Sequence, residues 1–122
     1  MSGADAKLLG RWGEAQVADY LRDRGYRLLA SGYRCRFGEI DLIAENGTYI
    51  VFTEVKLRKD DAFAPGRAFV DGRKQGRLRT TAEAYLAANP TELQPRLDVA
   101  EVYAPQGTAT KRPHIVYLEN AF

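Results

Sequence analysis

The chain has 122 residues, one cysteine and a formal net charge of +2, with 45% hydrophobic and 28% charged side chains. That size and balance suit one domain, residues 1–122, whose core needs neither disulfides nor a structural metal. The lone Cys35 excludes an intramolecular disulfide and a cysteine-rich zinc site, and no apolar run is long enough to span a membrane, so a cytoplasmic protein with no membrane partner is expected.

Residues 5–24 read as a helix, because Leu9, Gly13, Val17, Tyr20 and Leu21 recur at helical spacing and Gly25 supplies a stop. Residues 26–31 alternate loosely and read as a strand. Residues 38–45 and 48–57 read as two strands joined by Asn46-Gly47, a pair favoured in tight type I′ turns. Residues 58–70 contain Pro65 and Gly66 and read as a loop. Residues 71–88 form a second helix with Leu78, Ala82, Tyr85 and Leu86 as its apolar stripe, ended by Asn89-Pro90. Residues 96–103 and 114–118 read as two more strands, separated by a polar turn region holding Pro105, Gly107 and Pro113. The predicted class is α/β, a mixed five-stranded sheet flanked by helices in the order α-β-β-β-α-β-β.

The second and third strands carry Gly38-Glu39-Ile40-Asp41 and Glu54-Val55-Lys56. Side chains alternate along a strand, so Glu39, Asp41, Ile43 and Glu45 share one face and Ile40, Leu42 and Ala44 the other. A two-residue turn pairs Glu45 with Thr48. Asp41 then lies opposite Phe52, and Glu39 opposite Glu54. Asp41 becomes a diagonal neighbour of Glu54, roughly 7–8 Å away on the same face.

These residue types suit hydrolysis of a phosphodiester. Mg²⁺ or Mn²⁺ prefers oxygen donors, which Asp41, Glu54 and the backbone carbonyl of Val55 supply. Lys56 projects beside the same place and can orient water or stabilise transition-state charge. A competing reading is a solvated strand face with cross-strand ion pairs. Against it, Ile43, Ile50 and Phe52 share the face with the charges, which indicates a half-buried pocket. Glu14 falls inside the apolar arc of the first helix. It is either a buried salt bridge to an arginine or a third acidic group of the same site.

Basic residues gather around these acids. Between Glu54 and Thr80 there are eight Lys or Arg against four acids, and Arg34 and Arg36 precede the acidic motif. That is either a polyanion-binding surface or ordinary solvated clustering. Tyr33, Phe37, Phe63 and Phe69 lie among arginines, where aromatics either stack on unpaired bases or anchor loops to the core. His114 is the only histidine, too few for a histidine-based site. Trp12 and Cys35 read as packing residues.

The segments Gly13-Glu14-Ala15, Tyr33 through Ala44 and Val51 through Arg58 resemble the YraN-like bacterial proteins. So do Lys74-Gln75, Arg77-Leu78, Arg96-Leu97-Asp98-Val99 and Asn120-Ala121-Phe122. The resemblance covers nearly the whole chain. It implies a restriction-endonuclease-like core and membership of the PD-(D/E)XK superfamily, near the Holliday-junction resolvases. It also implies that Glu14, Asp41 and Glu54 bind metal, with Lys56 as the motif lysine and Lys74 and Gln75 as accessory polar residues on the second helix.

The expectation is a Mg²⁺- or Mn²⁺-dependent DNA endonuclease with branched DNA as a candidate substrate. Glu14, Asp41, Glu54 and Lys56 would be catalytic, and Glu14, Asp41, Glu54 and Val55 would ligate metal. Arg34, Arg36, Arg58, Arg73, Lys74, Gln75 and Arg77 would contact nucleic acid, and a symmetric homodimer would deliver paired cuts. The alternative is a non-catalytic nucleic-acid-binding module of the same fold, with a structural interaction protein a more distant third.

Overall fold

The structure, a computed structural model, describes residues 3–59 and 72–122. Helix α1 (Gly3–Asp23) leads into β1 (Arg27–Cys35), β2 (Gly38–Glu45) and β3 (Tyr49–Arg58). Helix α2 (Gly72–Ala88) follows, then β4 (Gln94–Tyr103), a 3-10 turn at Gly107–Ala109 and β5 (His114–Leu118). The five strands lie side by side in chain order. All neighbours are antiparallel except β3 and β4, whose parallel pairing requires the crossover that α2 provides. The α-β-β-β-α-β-β order and the mixed five-stranded sheet are as the sequence predicts. Arg58 belongs to β3 rather than to a loop. The expected turn residues Pro65 and Gly66, the aromatics Phe63 and Phe69, and Asp71 lie outside the described residues.

Each helix covers one face of the sheet. Val17, Ala18 and Leu21 of α1 pack on Leu42, Ala44, Val51, Ala100 and Val102. Leu78 and Ala82 of α2 pack on Ile40, Ile43, Ile50, Phe52 and Val99. Gly13 lets α1 approach β3 closely, since a Cβ there would stand 2.9 Å from Leu57 Cδ2. No helix among the described residues is long and apolar enough to cross a membrane.

Two local features depart from the sequence reading. The β2–β3 turn is not type I′, which needs positive φ at its central residues; neither Asn46 nor Gly47 has it. Instead the Asn46 carboxamide oxygen accepts from the backbone N–H groups of Thr48 (2.8 Å) and Tyr49 (2.7 Å). This side-chain-capped turn is longer, so Glu45 pairs with Ile50 rather than Thr48, and the ladder runs to Leu42 opposite Thr53. The shift of two residues preserves the faces but sets Asp41 level with Glu54 instead of diagonal to it.

The second departure is a change of face. Ser31 reaches Glu14 on α1, whereas Tyr33 packs edge-on against Tyr85 of α2. Between them Gly32 adopts φ +68°, a conformation that breaks strand alternation. The paired strand follows: Leu42 joins the α1-side core, but Ile40 joins the α2-side core with Ile43. Ile40 therefore does not share a face with Leu42 and Ala44. Asp41 sits at this crossover.

A buried polar network ties β4 to its surroundings on the α1 side. Asp98, with no exposed surface, accepts from Arg96 Nε (2.9 Å), Tyr117 Oη (2.6 Å) and the Asn120 backbone N–H (2.8 Å). Arg96 also donates to Tyr26 Oη at 2.9 Å, and Tyr117 Oη meets Thr53 Oγ1 at 2.9 Å. Asp98→Ala would leave the buried Arg96 guanidinium only Tyr26 Oη and the exposed Glu119 carboxylate at 3.3 Å, and would remove the acceptor of Tyr117 and Asn120; it is expected to cost roughly 3–5 kcal/mol. Urea denaturation should show a lowered midpoint at unchanged slope; an unchanged midpoint would contradict this role.

Candidate functional site

Beyond Leu42 and Thr53 the β2–β3 ladder gives way to a side chain. Asp41 Oδ2 accepts the backbone N–H of Val55 at 2.8 Å. The carboxylate does there what a strand carbonyl would otherwise do, and it draws Val55 into the site through its main chain. Glu54, only 9% exposed, stands level with Asp41 and is ion-paired to Lys74 Nζ at 2.7 Å. Lys74 arrives from the first turn of α2. Asp41, Glu54, Lys74 and Arg77 line a cleft of about 200 Å³ together with Gly38, Glu39 and Leu78.

Electrostatics mark this as a costly arrangement. Burial raises the Asp41 pKa, and the neighbouring Glu54 charge raises it further; the Val55 N–H opposes both, leaving it at about 7. Glu14 is raised too, chiefly by burial and then by the charges of Glu39 and Glu54, while the Ser31 hydroxyl donating at 3.3 Å holds it down. Among the described residues no arginine forms an ion pair with Glu14. Its carboxylate feels the charges of Glu39 and Glu54, which raise its pKa, and that of Arg11, which lowers it.

The lysines divide the work. Burial lowers Lys56, and the adjacent Lys74 ammonium lowers it further. Burial also disfavours charged Lys74, but the hydrogen bond and charge of Glu54 outweigh it and raise Lys74. Lys56 is thus the lysine of the pair that gives up its proton more readily.

The basic residues singled out in the sequence fall in three places. Lys74 and Arg77 line the cleft, with Arg73 and Gln75 beside them on α2. Arg34 and Arg36 lie at the end of the β1–β2 hairpin, Arg34 facing Glu39 at 3.4 Å. Arg58, at the end of β3, donates Nε to Glu101 Oε2 at 3.2 Å. Glu101 was not anticipated. It is fully buried opposite Lys56 on β4, and its Oε1 has no hydrogen-bond partner among the described residues. The strand pattern around it, apolar on both faces, gave the only hint.

The oxygen-rich donor set at Asp41, Glu54 and Val55 matches what Mg²⁺ or Mn²⁺ takes. Among the described residues no three His, Cys, Asp or Glu side chains are gathered tightly enough to form a ready-made cage. The Lys74 ammonium stands on Glu54 in the position where a cation would neutralise the paired acids.

Fold and site together define an α/β protein with a carboxylate–lysine cluster where two central strands part. The chain belongs to the family described as uncharacterised protein family UPF0102, whose model matches residues 13–102. It is 40% identical over 118 residues to a UPF0102 protein of Alkaliphilus metalliredigens, covering 96% of this chain and 99% of the relative. A UPF0102 protein of Pelotomaculum thermopropionicum is 40% identical over 121 residues, covering 98% and 99% of the two chains. One from Moorella thermoacetica is 48% identical over 79 residues, covering 65% and 66%.

Asp41 ionises near 3.8 ordinarily and near 7 when folded. Between those values the folded state holds the extra proton, so this group's contribution to stability falls as pH rises and its full cost is present above pH 7. Asp41→Asn keeps an oxygen for the Val55 N–H and removes the charge. In EDTA it should exceed the parent in stability above neutrality by about 1 kcal/mol or more, with the advantage fading towards pH 4. Urea midpoints across this range check it; an advantage that grows on acidification would contradict it.

Proposed function

We propose that this protein is a Mg²⁺- or Mn²⁺-dependent DNA endonuclease. The observation that carries the reading is the crowding of Asp41 against Glu54 at the end of the β2–β3 ladder, with Lys56 and Lys74 beside them. Two repelling, largely buried carboxylates cost stability, and a bound divalent cation would offset that cost. Glu14, Asp41, Glu54 and the carbonyl of Val55 are the ligands proposed for it. Such an ion polarises a phosphate oxygen and lowers the pKa of bound water.

The chain's own residues supply the rest. Lys56, with its lowered pKa, is suited to orient the attacking water and to pass a proton. Lys74 leaves Glu54 for the phosphate when the acids are otherwise neutralised. Arg77 in the cleft, with Arg73 and Gln75 on α2, Arg58 and the hairpin arginines Arg34 and Arg36, holds the flanking backbone. The resemblance to resolvase-like proteins of the PD-(D/E)XK superfamily points to branched DNA. A homodimer acting in the cytoplasm would deliver two cuts from two such small footprints.

A second reading has a specific observation behind it. Lys74 already satisfies Glu54, and no three acids converge among the described residues. A non-catalytic nucleic-acid-binding module would need nothing more. Cleavage of linear, single-stranded and four-way-junction DNA with Mn²⁺, Mg²⁺ or EDTA separates the two. The endonuclease is expected to cut only with metal, and both Asp41→Asn and Lys56→Ala should lower the rate at least about 100-fold. Binding without metal-dependent cutting, unchanged by either substitution, would leave only the binding module.

A further inference from the structure

We propose that the Arg36–Phe37 tip of the β1–β2 hairpin is a stacking platform for an unpaired base. This rests on the reading above that the neighbouring cleft receives DNA backbone. Pairing of Cys35 with Gly38 leaves Arg36 and Phe37 alone at the tip. Phe37 is 40% exposed, whereas Tyr33 on the same hairpin packs against Tyr85 with ring centroids 5.2 Å apart. The two aromatics therefore separate. Tyr33 anchors the hairpin to α2, and Phe37 is presented outward.

Its surroundings are cationic rather than apolar. The Arg36 guanidinium lies 4.7 Å from the centre of the Phe37 ring, and the exposed Arg34, two residues before Arg36, balances the charge of Glu39 at 3.4 Å. An exposed aromatic plane among guanidinium groups matches a ligand with a flat aromatic face and an attached anion, which describes a nucleotide. A protein partner's apolar surface would have to desolvate those arginines.

The platform is also fixed in place. Gly38 holds φ +151°, and a Cβ there would stand 3.0 Å from Thr81 Oγ1 on α2. Thr81 is fully buried and donates to the Arg77 carbonyl at 2.7 Å. The hairpin end is thus seated against α2, with little freedom to fold Phe37 away. Gly38 and Glu39, the next residues, line the cleft that holds Asp41 and Glu54. Along a strand Phe37 and Asp41 are about 13 Å apart. A base on Phe37 would therefore lie a few nucleotides from the phosphate in the cleft. DNA with an unstacked base there, at a junction, gap or single-stranded end, is the substrate class this selects.

The test uses the full chain in EDTA, so that no turnover is required. Affinity is measured by anisotropy for a single-stranded oligonucleotide, a gapped duplex and the matched intact duplex. Phe37→Ala should weaken the single-stranded and gapped complexes about tenfold, the scale of one base–aromatic stack, and leave the intact duplex nearly unchanged. Phe37→Trp should retain affinity, and 2-aminopurine in the unpaired stretch should be quenched on binding by the parent and not by Phe37→Ala. Affinities of Phe37→Ala unchanged from the parent on all three, an equal loss on all three, or a change in self-association alone would overturn the proposal. Absence of metal-dependent cutting would remove the endonuclease reading while leaving a Phe37-dependent preference for unpaired bases standing.

Discussion

The arrangement turns on two carboxylates held closer than they would choose. Asp41 and Glu54 meet where β2 and β3 part, and each is fastened by a different part of the fold. Asp41 is tied to the Val55 main chain, and Glu54 to Lys74 of α2. The cost of that proximity is carried by the two apolar cores on either side of the sheet, which fix the strands and helices regardless of the charges between them. Helix α1, pressed onto Leu57 at Gly13, delivers Glu14 to the same end of the sheet. Helix α1 and the hairpin strands β2 and β3 thus place acids at one end of the sheet, and α2 adds a lysine.

Much of this was legible in the residues. Helical spacing in α1 and α2 and the alternation of the central strands were enough to set element order, because each segment buries one stripe or face. The apolar companions of Asp41 and Glu54, namely Ile43, Ile50 and Phe52, correctly signalled a half-buried site. The acid on the apolar side of α1 is half-buried, hydrogen-bonded to Ser31, and feels the charges of Glu39 and Glu54. What pattern alone could not supply was local geometry set by single side chains. The Asn46 carboxamide lengthens the turn and moves the register by two residues. The φ of Gly32 sends Ile40 to the other core. Neither alters the hydrophobic pattern, so neither leaves a periodic trace.

The roles of cations were also hidden. Lys74 looks in sequence like one more phosphate-binding residue on a basic helix, yet in the fold it is the partner of Glu54. Glu101 looks in sequence like one more polar residue of β4, yet it lies buried beside the end of β3 and holds Arg58. These pairings depend on which strand lies next to which, and on the parallel β3–β4 register in particular. On the proposed reading the Lys74–Glu54 pair is a resting arrangement, in which an ammonium shields acids that a divalent ion would shield better.

That claim is tested most directly by calorimetric titration of the full chain with Mn²⁺ at about pH 6.5, in buffers of differing ionisation enthalpy. The account predicts one ion per chain, lost in Asp41→Asn. It also predicts a heat that changes with the buffer, because ligation drives the proton off Asp41. No binding heat, or binding that Asp41→Asn leaves unchanged, would contradict it.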